Sequence, residues 1–338
     1  MTDLEPLSPE EGVERFLRHR KPSVRPSTLQ NARTRLNHFL DWCDERDINN
    51  LNDLTGRELS DFVAWRRSDI AAITLQKQLS SIRQALRYWA DIEAVEDGLA
   101  EKVHSPELPD GAESRDEHLS ADRAEDILSY LNQYHYASRR HAIMVILWRT
   151  GMRRSALRSL DVADLRPDDN ALVVEHRPEQ GTKLKNGEDG NRWVHLDARW
   201  FQVVKDWAEN PDRPDVRDDH GRKPLISTQY GRPTGDTIYK WVCKTTHPCK
   251  YGGCPHDRDT ATCEALGADG YPSKCPSARS PHDVRRGAIT AHLNQNVPPE
   301  TVSERMDVSL GVLYEHYDAR TEREKMEVRK RQLREANL

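Results

Sequence analysis

Residues 141–148 (HAIMVILW) form the most apolar run of the 338-residue chain. With almost no polar side to give to water, the run reads as a helix buried all round, at the centre of whatever the second half folds into. It stops at Thr150-Gly151, where a glycine suits the end of a helix. Arg153 and Arg154 follow at once. An arginine just past a buried helix is held in place by the core and can clamp an anion with two N–H groups. The alternative, favoured by position alone, is a surface arginine near a helix end, where the dipole welcomes it.

The sequence around that run supplies its packing partners. A helical pattern opens at Leu119-Ser120 with Ala124, Ile127, Leu128 and Leu131 on its buried side. Residues 171–176 and 192–196 are short strand-like runs around a Gly- and charge-rich connection, 180–191. That places Lys183 and Lys185 at the tip of a β-hairpin, able to reach a DNA groove or protonate a leaving oxygen, or else simply solvated. Asp197 caps a further helix, and Thr234 or Asp236 another. In residues 280–317, His282 and Arg285 lie one helical turn apart, and Tyr317 follows about thirty residues later. A histidine, a fixed cation and a distal tyrosine suit a site that grips a phosphodiester and attacks it with a phenol oxygen. Tyr314 competes with Tyr317 for that part. Residues 321–336 form a charged helix with a narrow stripe of Met326, Val328 and Leu333, either docked or solvated.

The first hundred residues repeat apolar positions every three or four residues in four segments, which predicts a compact four-helix bundle. The buried positions are Val13, Phe16 and Leu17; Leu29, Leu36, Phe39 and Leu40, after a cap at Ser27 or Thr28; Leu59, Phe62, Val63 and Trp65, after Thr55 or Gly56; and Leu75, Leu79, Ile82, Leu86 and Trp89, after Thr74. Arg15, Arg18, Arg20, Lys21, Arg25, Arg33 and Arg35 follow one another with no carboxylate between them, and Lys77, Arg83 and Arg87 lie opposite the fourth apolar stripe. Such faces bind DNA phosphates or only water. Residues 101–118, aperiodic and holding Pro106, Pro109 and Gly111, read as a linker between a helical domain at 8–100 and a second domain at 119–338.

A hydrophobic fraction of 36% against 32% charged residues is lean but sufficient for two modest cores. The net charge of −5 does not exclude a nucleic-acid partner, because local distribution matters more than the sum. No apolar run approaches a membrane span and no signal peptide opens the sequence, so a cytoplasmic protein without a membrane partner is expected.

Five of the six cysteines lie between Cys243 and Cys275, in an insertion at about 243–276 dominated by Gly, Pro and Asp. Cys249, Cys254, Cys263 and Cys275 form the candidate ligand set for a structural zinc, with His256 as an alternative ligand and His247 as a spare. Their intervals lack the tight C-x-x-C knuckle, and free thiols or a redox pair are the alternative. A cytoplasmic setting disfavours disulfides.

Several of these residues also fall into ordered boxes. Thr150-Gly151-Met152-Arg153, with Ser155 and Leu157, resembles the T-G-L-R-x-S-E-L box of tyrosine recombinases, the integrase and Xer-like group. Pro281-His282-Asp283-Val284-Arg285 resembles their P-H-x-L-R box, the lysine hairpin their β2–β3 hairpin, and Tyr317 stands nine residues after the position of their L-G-H histidine. The Cys-rich insertion and the T-x-L-K-N-G-E-D hairpin point to an archaeal-type branch. Three positions depart from the pattern: Val308 replaces the histidine, Ala156 the acid of the first box, and Arg286 follows Arg285.

The resemblance implies a mainly α fold with a small β-hairpin sheet, a helical core-binding domain followed by an α+β catalytic domain. It implies a site-specific recombinase acting on double-stranded DNA through a 3′-phosphotyrosine, as a homotetramer, with no nucleotide cofactor and no metal in the chemistry. Arg153 and Arg285 would hold the scissile phosphate, Tyr317 attack it, and Lys185, or Lys183 behind it, protonate the leaving oxygen. His282 would orient the phosphate or move the tyrosine's proton, and His316 could stand in for the missing histidine. The rivals are a catalytically weak DNA-binding protein on the same fold, a type IB topoisomerase, and a zinc-stabilised interaction module without a DNA role.

Overall fold

A computed structural model describes residues 4–107, 117–267, 270–316 and, beyond these, Met326, Lys330 and Arg334. The chain divides into two compact units, Met1–Arg115 and Asp116–Leu338.

The first unit is the expected helical bundle: α1 (Pro9–Arg20), α2 (Pro26–Glu45), α3 (Gly56–Arg67) and α4 (Ala72–Asp91). Leu36, Phe39, Phe62, Leu75, Leu79, Ile82, Leu86 and Trp89 are fully buried, as their periodicity predicts. Leu29, Leu40, Val63 and Trp65 pack only partly buried at its margin. Phe39 sits among Trp42, Phe62 and Trp89 with ring centroids 5.7–6.0 Å apart. Thr55 caps α3 in a reciprocal capping box with Glu58. The expected caps of α2 and α4 are corrected: α2 starts at Pro26 after Arg25, and α4 at Ala72 after Ala71, neither with a side-chain cap. Proline at the first helical position needs no N–H partner, which explains the earlier start of α2. The first core also runs further than periodicity shows. Leu99, Ala100 and Val103 are buried in it, so three residues of the expected linker (101–103) lie in or beside this unit's core.

In the second unit α5 (Ala121–Tyr134) precedes α6 (Arg139–Thr150), the buried central helix. Ala142 to Leu147 are all at most 2% exposed. Gly151 closes α6 at φ 57°, a left-handed conformation that glycine adopts without steric cost. Then come α7 (Arg154–Ser159) and an antiparallel three-stranded sheet, β1 (Leu165–Arg166), β2 (Ala171–Val174) and β3 (Arg192–His195), paired in sequence order. The two-residue β1 carries no periodicity and was not expected. The β2–β3 connection is no simple hairpin tip: it holds short 3-10 turns at Pro178–Gln180 and Gly187–Gly190 and is pinned by buried Leu184.

The remaining helices are α8 (Ala198–Glu209), capped by Asp197; α9 (Gly235–Thr245), capped by Thr234; α10 (Pro281–Asn294); α11 (Pro299–Met306); and α12 (Leu310–His316). Ile289, Leu293, Val302, Met306, Val308 and Leu313 form a small separate core under α10–α12. Of the charged C-terminal run, only Met326, Lys330 and Arg334 are described, each helical and exposed; Val328 and Leu333 lie outside. Among the described residues no helix is long and apolar enough to cross a membrane.

Candidate active site

An open cavity of about 710 Å³ in the second unit is lined by Arg153, Arg154, Lys185, His282, Arg285 and Val308, with Asn186, Tyr239 and Ser309 among the other polar groups. Residues more than 130 positions apart in sequence meet here, and four of the five expected catalytic side chains are among them.

Arg285 lies on α10, which Ser280 starts with a capping box to Asp283 and a proline at its first position. Arg285 is 4% exposed. It donates to the carbonyls of Gly151 (2.8 Å), Met306 and Asp307 (3.3 Å), so the end of α6 and the end of α11 both hold it. Gly151 also leaves room for Met306, whose sulfur a Cβ at this position would meet. Arg153, at the start of α7, pairs with the carboxylate of Asp307. Asp307 itself ends α11 at φ 55° and accepts a second hydrogen bond from Asn186 Nδ2 (2.6 Å). A carboxylate thus occupies part of an anion-gripping arrangement of this protein's own making.

Lys185 and Asn186 reach the cavity because the neighbouring Leu184 is buried and its N–H donates to His176 Nδ1 (2.9 Å). Lys183, on the other side of Leu184, is exposed and is not among the residues lining the cavity.

His282 faces the cavity from the first turn of α10. Burial, foremost, and then the cations Arg285, Arg286 and Lys185 lower its pKa against the opposing pull of Asp283. The imidazole is therefore held neutral and able to accept a proton. Tyr239 on α9 is a neighbour that sequence reasoning missed. Burial and the nearby Cys243 thiol raise its pKa, so it stays a phenol and a hydrogen-bond donor. Val308 is 7% exposed and packed into the small core below, and its side chain offers no donor. Ser309 beside it brings a hydroxyl to the same wall. Ala156 is buried in the main core of the unit, where a carboxylate would be out of place. Tyr314, the competing tyrosine, is described and 48% exposed. Tyr317 and the side chain of His316 lie outside the described residues.

Asp307 was within reach of sequence reasoning, since it sits inside the departed L-G-H box beside Val308. Asn186 was equally close, next to Lys185. Tyr239 carried no motif.

In the first unit the basic faces are partly spent on internal pairs. Arg15 pairs with Glu11 and Arg33 with Glu14, both on α1 and both just before the carboxylate-free run. Arg87 pairs with Glu101, Arg20 meets Gln84, and Arg83 donates to the Val103 carbonyl (2.9 Å) and Ser105 (3.0 Å). Arg18, Lys21, Arg25 and Lys77 are exposed.

Residues 117–320 match the model of the phage integrase family, and residues 13–91 that of the phage integrase N-terminal SAM-like domain. The chain belongs to the phage integrase family. It is 24% identical over 192 residues to the tyrosine recombinase XerC of Escherichia coli O157:H7, across 55% of this chain and 63% of that protein's length. Among solved structures, the fold resembles the Tn1549 transposon integrase in complex with a circular intermediate DNA, at TM-score 0.67 and 16% identity, over 96% of this chain and 99% of that one. It also resembles lambda integrase, solved as a tetramer bound to a Holliday junction, at TM-score 0.62 and 13% identity, over 90% and 75%.

The cysteine insertion lies apart from this cavity. Cys249, Cys254, Cys263 and Cys275 line one small cavity together with His247 and His256. Burial pushes the Cys249 thiol up, and Cys275, Cys254 and Cys263 each push it further, so the four sulfurs sense one another. Among the described residues, however, no three His, Cys, Asp or Glu side chains stand in positions that could already hold a metal ion.

Proposed function

We propose that this integrase-family chain is a site-specific DNA recombinase that cuts and rejoins duplex DNA through a 3′-phosphotyrosine. The observation that carries this is the convergence of Arg153, Lys185, His282 and Arg285 on one cavity wide enough for a phosphodiester. Ser309 and Val312, before and on α12, line the same cavity, and α12 ends at His316, the sequence neighbour of Tyr317.

In the proposed reaction, Arg285 and Arg153 hold the non-bridging oxygens and offset the charge that builds there. The phenol oxygen of Tyr317 attacks phosphorus, and the neutral His282 takes up its proton. The bond to the 5′ oxygen breaks, and Lys185 protonates that oxygen as it leaves. Rejoining runs the same steps backwards, with a 5′ hydroxyl attacking the phosphotyrosine. The bond energy stays in the ester, so no nucleotide cofactor is required. Tyr239 and Ser309 are the side chains placed to replace the donor that Val308 lacks.

Phosphate seizure by Arg153 displaces Asp307. The DNA held by the transposon and lambda integrases supports double-stranded DNA as the partner here, and the lambda tetramer supports a tetrameric assembly. Arg18, Lys21, Arg25 and Lys77 are the exposed cations of the first unit proposed to meet backbone phosphates.

A nicked suicide substrate carrying the chain's own site tests the proposal. A covalent protein–DNA adduct on a denaturing gel that disappears in Tyr317→Phe and persists in Tyr314→Phe is the expected result. An adduct that survives Tyr317→Phe overturns the nucleophile. Tight binding without any adduct would instead establish the binding-protein reading that Val308 favours.

A further inference from the structure

The segment between α9 and α10 runs from Thr246 to Ser280 and has little with which to build a core. Between residues 249 and 279, Ala265, Pro272 and Cys275 are the only buried side chains among those described. Its two ends are nonetheless tied together. The Arg279 N–H donates to Thr246 Oγ1 (2.8 Å), the Thr246 hydroxyl meets the Arg279 carbonyl (3.1 Å), and Arg123 donates to the carbonyls of Thr246 and Ser277. Beyond that base the loop is a succession of turns around the cysteine-lined cavity.

His247 is the informative residue. It is 1% exposed and lines the same cavity as the four cysteines. Its Nε2 lies 2.8 Å from the Pro272 carbonyl. A carbonyl can only accept, so Nε2 carries the proton and Nδ1 holds a bare lone pair. That Nδ1 is buried and has no hydrogen-bond partner. A buried acceptor left unmatched is costly, and an imidazole whose far N–H is fixed by a backbone carbonyl is the usual bearing of a metal ligand. The cavity, about 10 Å³, has room for one ion or water and no more.

We propose that a zinc-class divalent cation binds in this cavity through His247 Nδ1 and three of the sulfurs of Cys249, Cys254, Cys263 and Cys275, and closes the insertion around itself. Soft thiolates with one imidazole in a tetrahedral shell select zinc and exclude calcium or magnesium. The ligands come into coordinating positions only as the metal enters, each bound thiol losing its proton to solvent. His256, whose Nε2 lies 2.9 Å from Ser277 Oγ, stays outside the set. The metal has no part in strand cleavage. It holds a loop whose base adjoins Ser280, the residue that starts the helix carrying His282 and Arg285.

Titrating the metal-free full chain with Co²⁺, followed by displacement with Zn²⁺, tests this without reference to DNA cleavage. Expected are one ion per chain, thiolate-to-cobalt charge-transfer absorption for three sulfurs, and d–d bands typical of a mixed nitrogen–sulfur shell. His247→Gln should weaken binding at least tenfold and shift those bands, while Cys43→Ser, in the first unit, changes neither. A four-thiolate spectrum untouched by His247→Gln, or no stoichiometric uptake, would overturn the proposal. Limited proteolysis of the wild-type chain covers the event that a variant misfolds. Chelator should open cleavage sites within 249–275 and added zinc should close them; cleavage indifferent to both also overturns it.

Discussion

The second unit buries arginine in two ways, and the contrast separates a structural cluster from the candidate site. Behind α7, Asp161 accepts from Arg222 (2.6 Å) and pairs with Arg232 and Arg177; Asp164 binds Arg177 (2.6 Å), and Asp218 binds Arg232 (2.8 Å). With Glu175, which also pairs with Arg177 (2.6 Å), four carboxylates answer three guanidiniums there. In the cavity, by contrast, Arg285 donates to the Gly151, Met306 and Asp307 carbonyl oxygens, which fix its direction. Arg153 has one carboxylate, Asp307, which it can exchange for a phosphate. Burial alone therefore does not mark a functional arginine; what marks it is burial together with a place on the cavity wall. A third buried basic group, His141, takes another course. Both its ring nitrogens lack partners, and burial, foremost, with Arg199 lowers its pKa to about 4, so it stays uncharged.

Breaking each arrangement should give a different kind of loss. Arg285→Ala is expected to reduce single-turnover adduct formation by about 10³-fold, the scale of a lost preorganised donor, with a far smaller change in thermal stability. Equal losses in both would move Arg285 into the structural class. Asp161→Asn should do the reverse. It leaves Arg222 and Arg232 buried and poorly compensated, costing about 3–5 kcal/mol in urea unfolding, while the folded fraction still binds DNA. Asp307→Asn keeps a residue that tolerates the left-handed backbone and frees Arg153. Binding to duplex DNA should tighten up to about tenfold at low salt, roughly 1.4 kcal/mol, and its log–log salt slope should steepen by about one. An unchanged slope would show that Asp307 does not compete with phosphate.

A last comparison concerns His141 and pH. Its folded pKa lies below its unfolded value of about 6.5, so between those values only the unfolded chain takes up the proton. Stability of the second unit should be full above pH about 6.5 and fall as the pH drops towards 4. Thermal melts across that range would record it, and His141→Phe should flatten the profile.

Much of this was legible in sequence because it depends on local rules. Leu75, Leu79, Ile82 and Trp89 announce their buried face by spacing, and Thr55 and Ser280 announce helix starts by their hydrogen-bonding chemistry. Arg153, Lys185, His282 and Arg285 were each found by motif, although position alone left Arg153 indistinguishable from a surface arginine. What sequence could not supply is the company a charge keeps. Glu11 and Glu14 neutralise Arg15 and Arg33 across helix turns and between helices, which a scan along the run cannot see. Lys183 and Lys185 look equivalent until Lys185, and not Lys183, is seen to line the cavity. Arg153 becomes a poised clamp, and His247 a ligand in waiting, only when Asp307 and the Pro272 carbonyl arrive from 154 and 25 residues away. Periodicity and capping act over one or two helical turns, so the sequence by itself determined the helices, their buried faces and the identities of the reactive groups. Electrostatic and hydrogen-bond partnership acts through space, so the tertiary structure alone decided which cations pair with carboxylates, which line the cavity, and which buried lone pair still lacks its partner.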